Sequence, residues 1–123
     1  MPSILVVDDD PEFRDLLRRE AVGKGIDLRF AGNGWEALLE LDSSSTDLIL
    51  LDLMMPGMDG PTFLKILRRN KGPSVPVAVL TVLESEEAQR RIAGLGASEV
   101  LNKRDVFGHL QEVIDRNLPS NLQ

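Results

Sequence analysis

Short apolar runs alternate with stretches of helical periodicity along the chain. Ile4–Val7 is a continuous apolar run that stops at acids, and Leu48–Leu51 and Val77–Val82 are equally short and apolar. Leu28–Ala31 is a weaker run, and Val100–Leu101 is the last. Uninterrupted runs of this length fit strands covered on both faces, because a strand with one wet face alternates.

Helices fill the gaps. Asp10-Pro11-Glu12 reads as an N-cap, a proline in the first turn and an acid near the positive end of the dipole. Phe13, Leu16, Leu17 and Ala21 follow at helical spacing, and Gly23 and Gly25 stop the helix. Ala37, Leu38 and Leu41 mark a second helix after Gly34. Pro61 opens a third, capped by Asp59 or Gly60, with Phe63, Leu64 and Leu67 inward and Gly72-Pro73 at its close. Ala88, Ile92 and Ala93 mark a fourth, ended by Gly94 and Gly96. Leu110, Val113, Ile114 and Leu118 mark a fifth, which holds His109 and has Asp105 as its candidate cap.

Strand–helix alternation with short connections implies right-handed crossovers and a parallel sheet with helices on both faces. Five units are too few for an eight-stranded barrel. The expected architecture is α/β: an open, doubly wound, flavodoxin-like five-stranded parallel sheet of order 2-1-3-4-5 with five helices. Such sheets bind ligands beyond the carboxyl ends of their strands. Chemistry is therefore expected just after Val7, Leu51, Val82 and Leu101.

Composition narrows the classes. The 123 residues suit a single domain, with 119–123 as a tail or the start of a linker. Without cysteine there is no disulfide, zinc–thiolate site or Cys nucleophile, and one histidine excludes a multi-histidine metal site within the chain. Lys and Arg number 14 against 20 Asp and Glu, for a net charge of −6. The cations come in pairs, such as Arg18-Arg19, Arg68-Arg69 and Arg90-Arg91, rather than in a patch. Direct binding to nucleic acid or anionic membrane is not expected, because both need clustered cations. The start of the chain shows no signal peptide, and no apolar run reaches a membrane span, so a cytoplasmic location is expected.

The strand ends carry acids. Asp10 is explained as a cap, but Asp8 and Asp9 at the end of a buried strand are not, since adjacent carboxylates repel and are costly to desolvate without a cation. Asp52 follows the third strand, which neighbours the first in the expected sheet, so three carboxylates converge. Oxygen donors alone select a hard ion, and Mg²⁺ keeps waters and accepts a phosphate oxygen. Thr81 and Lys103 arrive on the same edge from the fourth and fifth strands. Ammonium and metal neutralise phosphoryl oxygens, threonine donates a hydrogen bond, and one carboxylate can act as nucleophile.

Ile4-Leu5-Val6-Val7-Asp8-Asp9-Asp10-Pro11, the Asp52–Gly60 segment, Thr81, Gly96-Ala97 and Lys103 together resemble the receiver domain of two-component response regulators, the CheY-like family. The resemblance covers nearly the whole chain. It implies a phosphoacceptor at Asp52, charged by a sensor histidine kinase or a histidine phosphotransfer protein, and a downstream output protein or domain. It implies Mg²⁺, with Mn²⁺ as a substitute, bound directly by Asp9 and Asp52, through water by Asp8, and by the backbone carbonyl of Met54. Thr81 and Lys103 would contact the phosphoryl group. Such a domain catalyses only its own phosphorylation and dephosphorylation.

Three positions depart from the family pattern. Val100 stands where an aromatic switch residue is usual, Arg104 where proline follows the lysine, and Val82 where the residue after the threonine is very small. Val100 cannot rotate a ring in concert with Thr81, so a muted switch running through Thr81, residues 82–85 and the fourth helix is expected. Met54 and Leu83 occupy the positions that tune phosphoryl lifetime in the family; with Val82 they are apolar and bulky, which implies slow hydrolysis. Two other readings compete: a pseudo-receiver that switches weakly or not at all, and a Mg²⁺-dependent phosphatase with an Asp nucleophile. The latter would want an acid where Met54 stands. Trp35 reads as partly exposed packing, His109 as a surface residue and Gly23-Lys24-Gly25 as a turn without the P-loop pattern.

Overall fold

The computed structural model describes residues 1–53, 57–71, 75–82 and 85–118, with all their side chains except those of Lys71 and Ala88. Met54, Leu83, Gly72-Pro73 and residues 119–123 lie outside them. In chain order the elements are β1 (Ser3–Val7), α1 (Pro11–Ala21), β2 (Asp27–Ala31), α2 (Gly34–Ser43), β3 (Leu48–Asp52), α3 (Gly60–Lys71), β4 (Val77–Thr81), α4 (Glu86–Ala93), β5 (Glu99–Asn102) and α5 (Leu110–Asn117). A short 3-10 helix, Lys103–Val106, follows β5.

The strands form one parallel sheet in the order β2-β1-β3-β4-β5. The expected doubly wound architecture is therefore the one found. β1, β3 and β4 lie inside the sheet, and Ile4–Val7, Leu48–Asp52 and Val77–Thr81 are buried throughout, as their unbroken apolar runs require. Period-two alternation sorts these side chains between two cores. Ile4, Val6, Leu48, Leu50, Ala78 and Leu80 pack under α1 and α5. Leu5, Val7, Ile49, Leu51, Val77 and Val79 pack against the face that holds α2, α3 and Ile92 of α4.

Local chemistry sets the helix starts. The Asp10 carboxylate accepts the Glu12 N–H at 3.0 Å, Asn33 accepts the Glu36 N–H at 2.9 Å, and Asp59 accepts the Thr62 N–H at 2.8 Å. The bond from Thr62 also holds the Asp59 carboxyl below its ordinary value. Two details differ from the sequence reading. Asp105 does not cap α5: it lies in the 3-10 helix, and α5 begins only at Leu110. His109 precedes that helix instead of lying within it, and Leu118 is its buried C-cap. Trp35, near the start of α2, is 64% exposed.

Register prepares the site. Val7 pairs with Leu51, so the next residues, Asp8 and Asp52, emerge side by side. Asp52 pairs with Leu80, and Thr81 with Asn102, which brings Thr81 and Lys103 to the same edge. Among the described residues no helix is long and apolar enough to cross a membrane.

Candidate functional site

The carboxyl edge of the sheet gathers Asp8, Asp9 and Asp52 with one ligand oxygen each inside a 4.8 Å span. Asp8 is fully buried, Asp52 nearly so, and Asp9 is exposed. Like charges at that separation repel by roughly 3–4 kcal/mol at an effective dielectric of ~20. Burial makes the arrangement costlier still unless cations join it.

One cation is in place. The Lys103 ammonium lies 2.8 Å from Asp8 Oδ2, 3.8 Å from Asp10 Oδ2 and 3.9 Å from Asp52 Oδ2. Burial disfavours its charge, but the hydrogen-bonding and coulombic pull of Asp8, with Asp52 and Asp10 behind it, wins, and Lys103 is held above the usual lysine value. The ammonium also stands 4.6 Å over the Phe13 ring. This one ammonium is shared among the carboxylates of Asp8, Asp10 and Asp52, with Asp9 beside them, so the edge retains room for further positive charge.

Backbone geometry fixes the acids. Asp8 Oδ1 accepts the Asp10 N–H at 2.8 Å, the Asp8 N–H donates to Ala31 O at 2.9 Å, and Arg14 Nε donates to Asp8 O at 2.6 Å. Asp8 Oδ2, buried, has the Lys103 ammonium at 2.8 Å as its partner and lacks a second donor among the described residues. That oxygen and the all-oxygen donor set fit a hard divalent cation. Behind Asp52, the Gly60 N–H donates to Leu53 O at 3.2 Å and cinches the loop that leads to α3. A Cβ at Gly60 would sit 2.9 Å from Leu53 Cα, so only glycine permits this closure.

The remaining residues singled out in the sequence take definite places. Thr81 is buried at the edge, 2% exposed. Val100 is half-buried and packs against the α2–α3 face. Val82, 69% exposed, lines an open cleft of about 430 Å³ together with Phe13, Leu16, Asn102, Lys103 and Phe107. The contribution of Met54 and Leu83 falls outside the described residues. Sequence reasoning read Phe13 only as an inward position of α1 and did not single out Arg14. The available signal was position: side chains in the first turn of a helix point back toward its N-terminus, here toward the end of β1.

Known proteins resemble the chain in sequence and in shape. RegX3, a sensory transduction protein of Mycolicibacterium smegmatis, is 36% identical over 124 residues, covering 94% of this chain and 52% of RegX3. The chain spans about half the length, or less, of the curated relatives it matches. The chemotaxis protein CheY4 of Vibrio cholerae superposes with a TM-score of 0.86 at 28% identity, over 96% of this chain and 99% of CheY4. The response regulator TrrA of Thermotoga maritima, solved in complex with Mg²⁺–BeF, gives a TM-score of 0.80 at 33% identity, over 94% of this chain and 98% of TrrA. Residues 4–115 match the model of the response regulator receiver domain, and the chain belongs to that family of signalling domains.

Proposed function

We propose that the chain is the phosphoacceptor receiver of a two-component phosphorelay. The observation that carries this reading is the Lys103 ammonium placed against Asp8 and Asp52 at one sheet edge, with Asp9 completing an all-oxygen cluster. A sensor histidine kinase or histidine phosphotransfer protein is the donor. An Asp52 oxygen forms the new O–P bond as the P–N bond of the donor phosphohistidine breaks, and the leaving imidazole takes a proton from solvent. Lys103 neutralises a phosphoryl oxygen and Thr81 donates a hydrogen bond to another.

Asp9 and Asp52 would hold Mg²⁺ directly, with Asp8 through water and the Met54 carbonyl as a further ligand; Mn²⁺ would serve in its place. The ion, when bound, supplies positive charge to the phosphoryl oxygens. The Mg²⁺ in the TrrA complex supports this choice. The domain acts in the cytoplasm, catalyses only its own phosphorylation and hydrolysis, and signals by changed binding to an output protein or domain. The greater length of the relatives supports an output module outside these residues. The chain's charge of −6 leaves contact with DNA to that module.

One alternative remains, a pseudo-receiver that keeps the fold but switches weakly or not at all; Val82, Val100 and Arg104 keep it open, and in its full form it takes no phosphoryl group. Intact mass after incubation with acetyl phosphate and Mg²⁺ separates the two. Wild type should gain one phosphoryl group and Asp52→Asn none, since an amide is not a carboxylate nucleophile. Equal mass gain in both would remove Asp52 from the role, and no gain in either would favour the alternative.

A further inference from the structure

The turn between β5 and α5 carries Lys103 at one end and opens α5 at the other. Residues 103–108, Lys-Arg-Asp-Val-Phe-Gly, contain no proline, so the rigidity of the turn must come from its surroundings. His109, the residue before α5, makes no side-chain cap. The cap comes from α1 instead. The Gly108 N–H donates to Glu20 Oε1 and the Leu110 N–H to Glu20 Oε2, each at 2.7 Å. Bonds to both oxygens of a carboxylate are charge-assisted and fix its orientation as well as its distance. Gly108 makes the approach possible with a φ of 77°.

The same helix touches the other end of the turn. Phe13 lies under the Lys103 ammonium, and Phe107 packs edge-on against Phe13 with centroids 5.2 Å apart. Val106, fully buried, pins the middle, and Asn102 Oδ1 accepts the Arg104 N–H at 3.1 Å. A lysine is a point charge on a flexible four-carbon stem, so its placement depends on the backbone that carries it and on what lies beneath the ammonium.

We propose that Glu20 is a positioning residue for Lys103: by holding Gly108 and Leu110 it locks the 103–110 turn against α1 and sets the ammonium over Phe13 and against Asp8 and Asp52. The proposal rests on the reading that Lys103 contacts the transferred phosphoryl group. A cap that served only the stability of α5 would lower the melting temperature without acting through Lys103.

A double-mutant cycle on the full chain tests this, with Glu20→Gln, Lys103→Ala and the pair, read as the rate of phosphorylation from acetyl phosphate at saturating Mg²⁺. A displacement of about 1 Å can cost up to about a hundredfold in rate, so Glu20→Gln is expected to slow the reaction by roughly tenfold. In the Lys103→Ala background it should slow it no further. The same loss with and without Lys103, or a lowered melting temperature at an unchanged rate, overturns the proposal. A Lys103→Ala rate equal to wild type overturns the underlying reading of Lys103 and the proposal with it. Phe107→Leu, which loosens the turn from its apolar side, is read in the same cycle and should likewise lose its effect without Lys103.

Discussion

Helices α4 and α5 are each eight residues long and flank the same edge strand, yet they are held very differently. α5 buries Leu110, Val113 and Ile114, with Leu118 behind them. Polar ties add to this: Arg116 reaches Glu99 Oε1 at 2.7 Å, Asn117 reaches Glu99 Oε2 at 2.7 Å, and Glu20 binds the helix start. Among its described side chains α4 buries Ile92, while Glu86, Glu87, Arg90 and Arg91 face solvent. Local opening is cheapest where few apolar groups leave the core. The comparison assigns α5 to the frame and α4 to the part that can shift at low cost, on the side of the sheet where Val100 packs.

The largest expected effect is on stability. Ile114 is fully buried and its surroundings are tied, so Ile114→Ala should leave an uncollapsed cavity and cost about 3–4 kcal/mol. Ile92, 7% exposed on a helix free to settle, should cost about 2 kcal/mol on truncation. Against a total of ~5–15 kcal/mol the difference is visible as a shift in urea midpoint. Equal losses at the two positions would break the comparison.

Amide hydrogen exchange asks whether the looser helix is also the responsive one. Adding beryllofluoride and Mg²⁺ should change exchange several-fold in residues 85–93 and leave 110–117 nearly unchanged. With Val100 in place of a ring, little signal is expected to travel toward α5. Changes centred on Val100 and α5, with α4 silent, would reverse the assignment.

The turn leading into α5 should show its own pH signature. Lys103 is held above its ordinary 10.5 in the folded state, chiefly by Asp8 against the opposing effect of burial. A raised folded value means that its stabilisation is complete below the unfolded value and fades as pH climbs through the folded one. Wild type without Mg²⁺ should therefore lose stability at high pH more steeply than Lys103→Met. The Lys103 titration followed by NMR should lie above the ordinary lysine value, and fall in Asp8→Asn. A titration at or below the ordinary lysine value would show that the acids do not hold the ammonium.

Legibility divides along the same line as the two helices. The strands, the Asp10 cap and the convergence of Asp8, Asp9 and Asp52 were readable, and the cap of α3 was narrowed to Asp59 or Gly60, because each depends on neighbours in sequence or on the pairing of β1 with β3. Glu20 was not readable as the cap of α5, because it lies 88 residues from Gly108 and belongs by local pattern to the surface of α1. Asp105 sat at a plausible spacing, but the 3-10 turn uses it otherwise, and a turn whose geometry is imposed by another helix carries no local code. Phe13 looked like any inward position of an amphipathic helix; only the fold brings an ammonium to its face.

The smallest expected effect is the sharpest check on α4. Its visible charge pair, Arg91 Nη2 to Glu87 Oε1 at 3.4 Å, joins two side chains that are 76% and 77% exposed. Such a pair gains little in water and restrains two long side chains, so Arg91→Ala should change stability by less than about 0.5 kcal/mol. Added salt, which screens exposed charges over about a Debye length, should leave even that difference smaller. If Arg91→Ala instead costs as much as Ile92→Ala, α4 is fastened by its surface and not by its one buried isoleucine. It would then be no easier to move than α5, and the contrast between the helices would lie in the kind of tie rather than its strength.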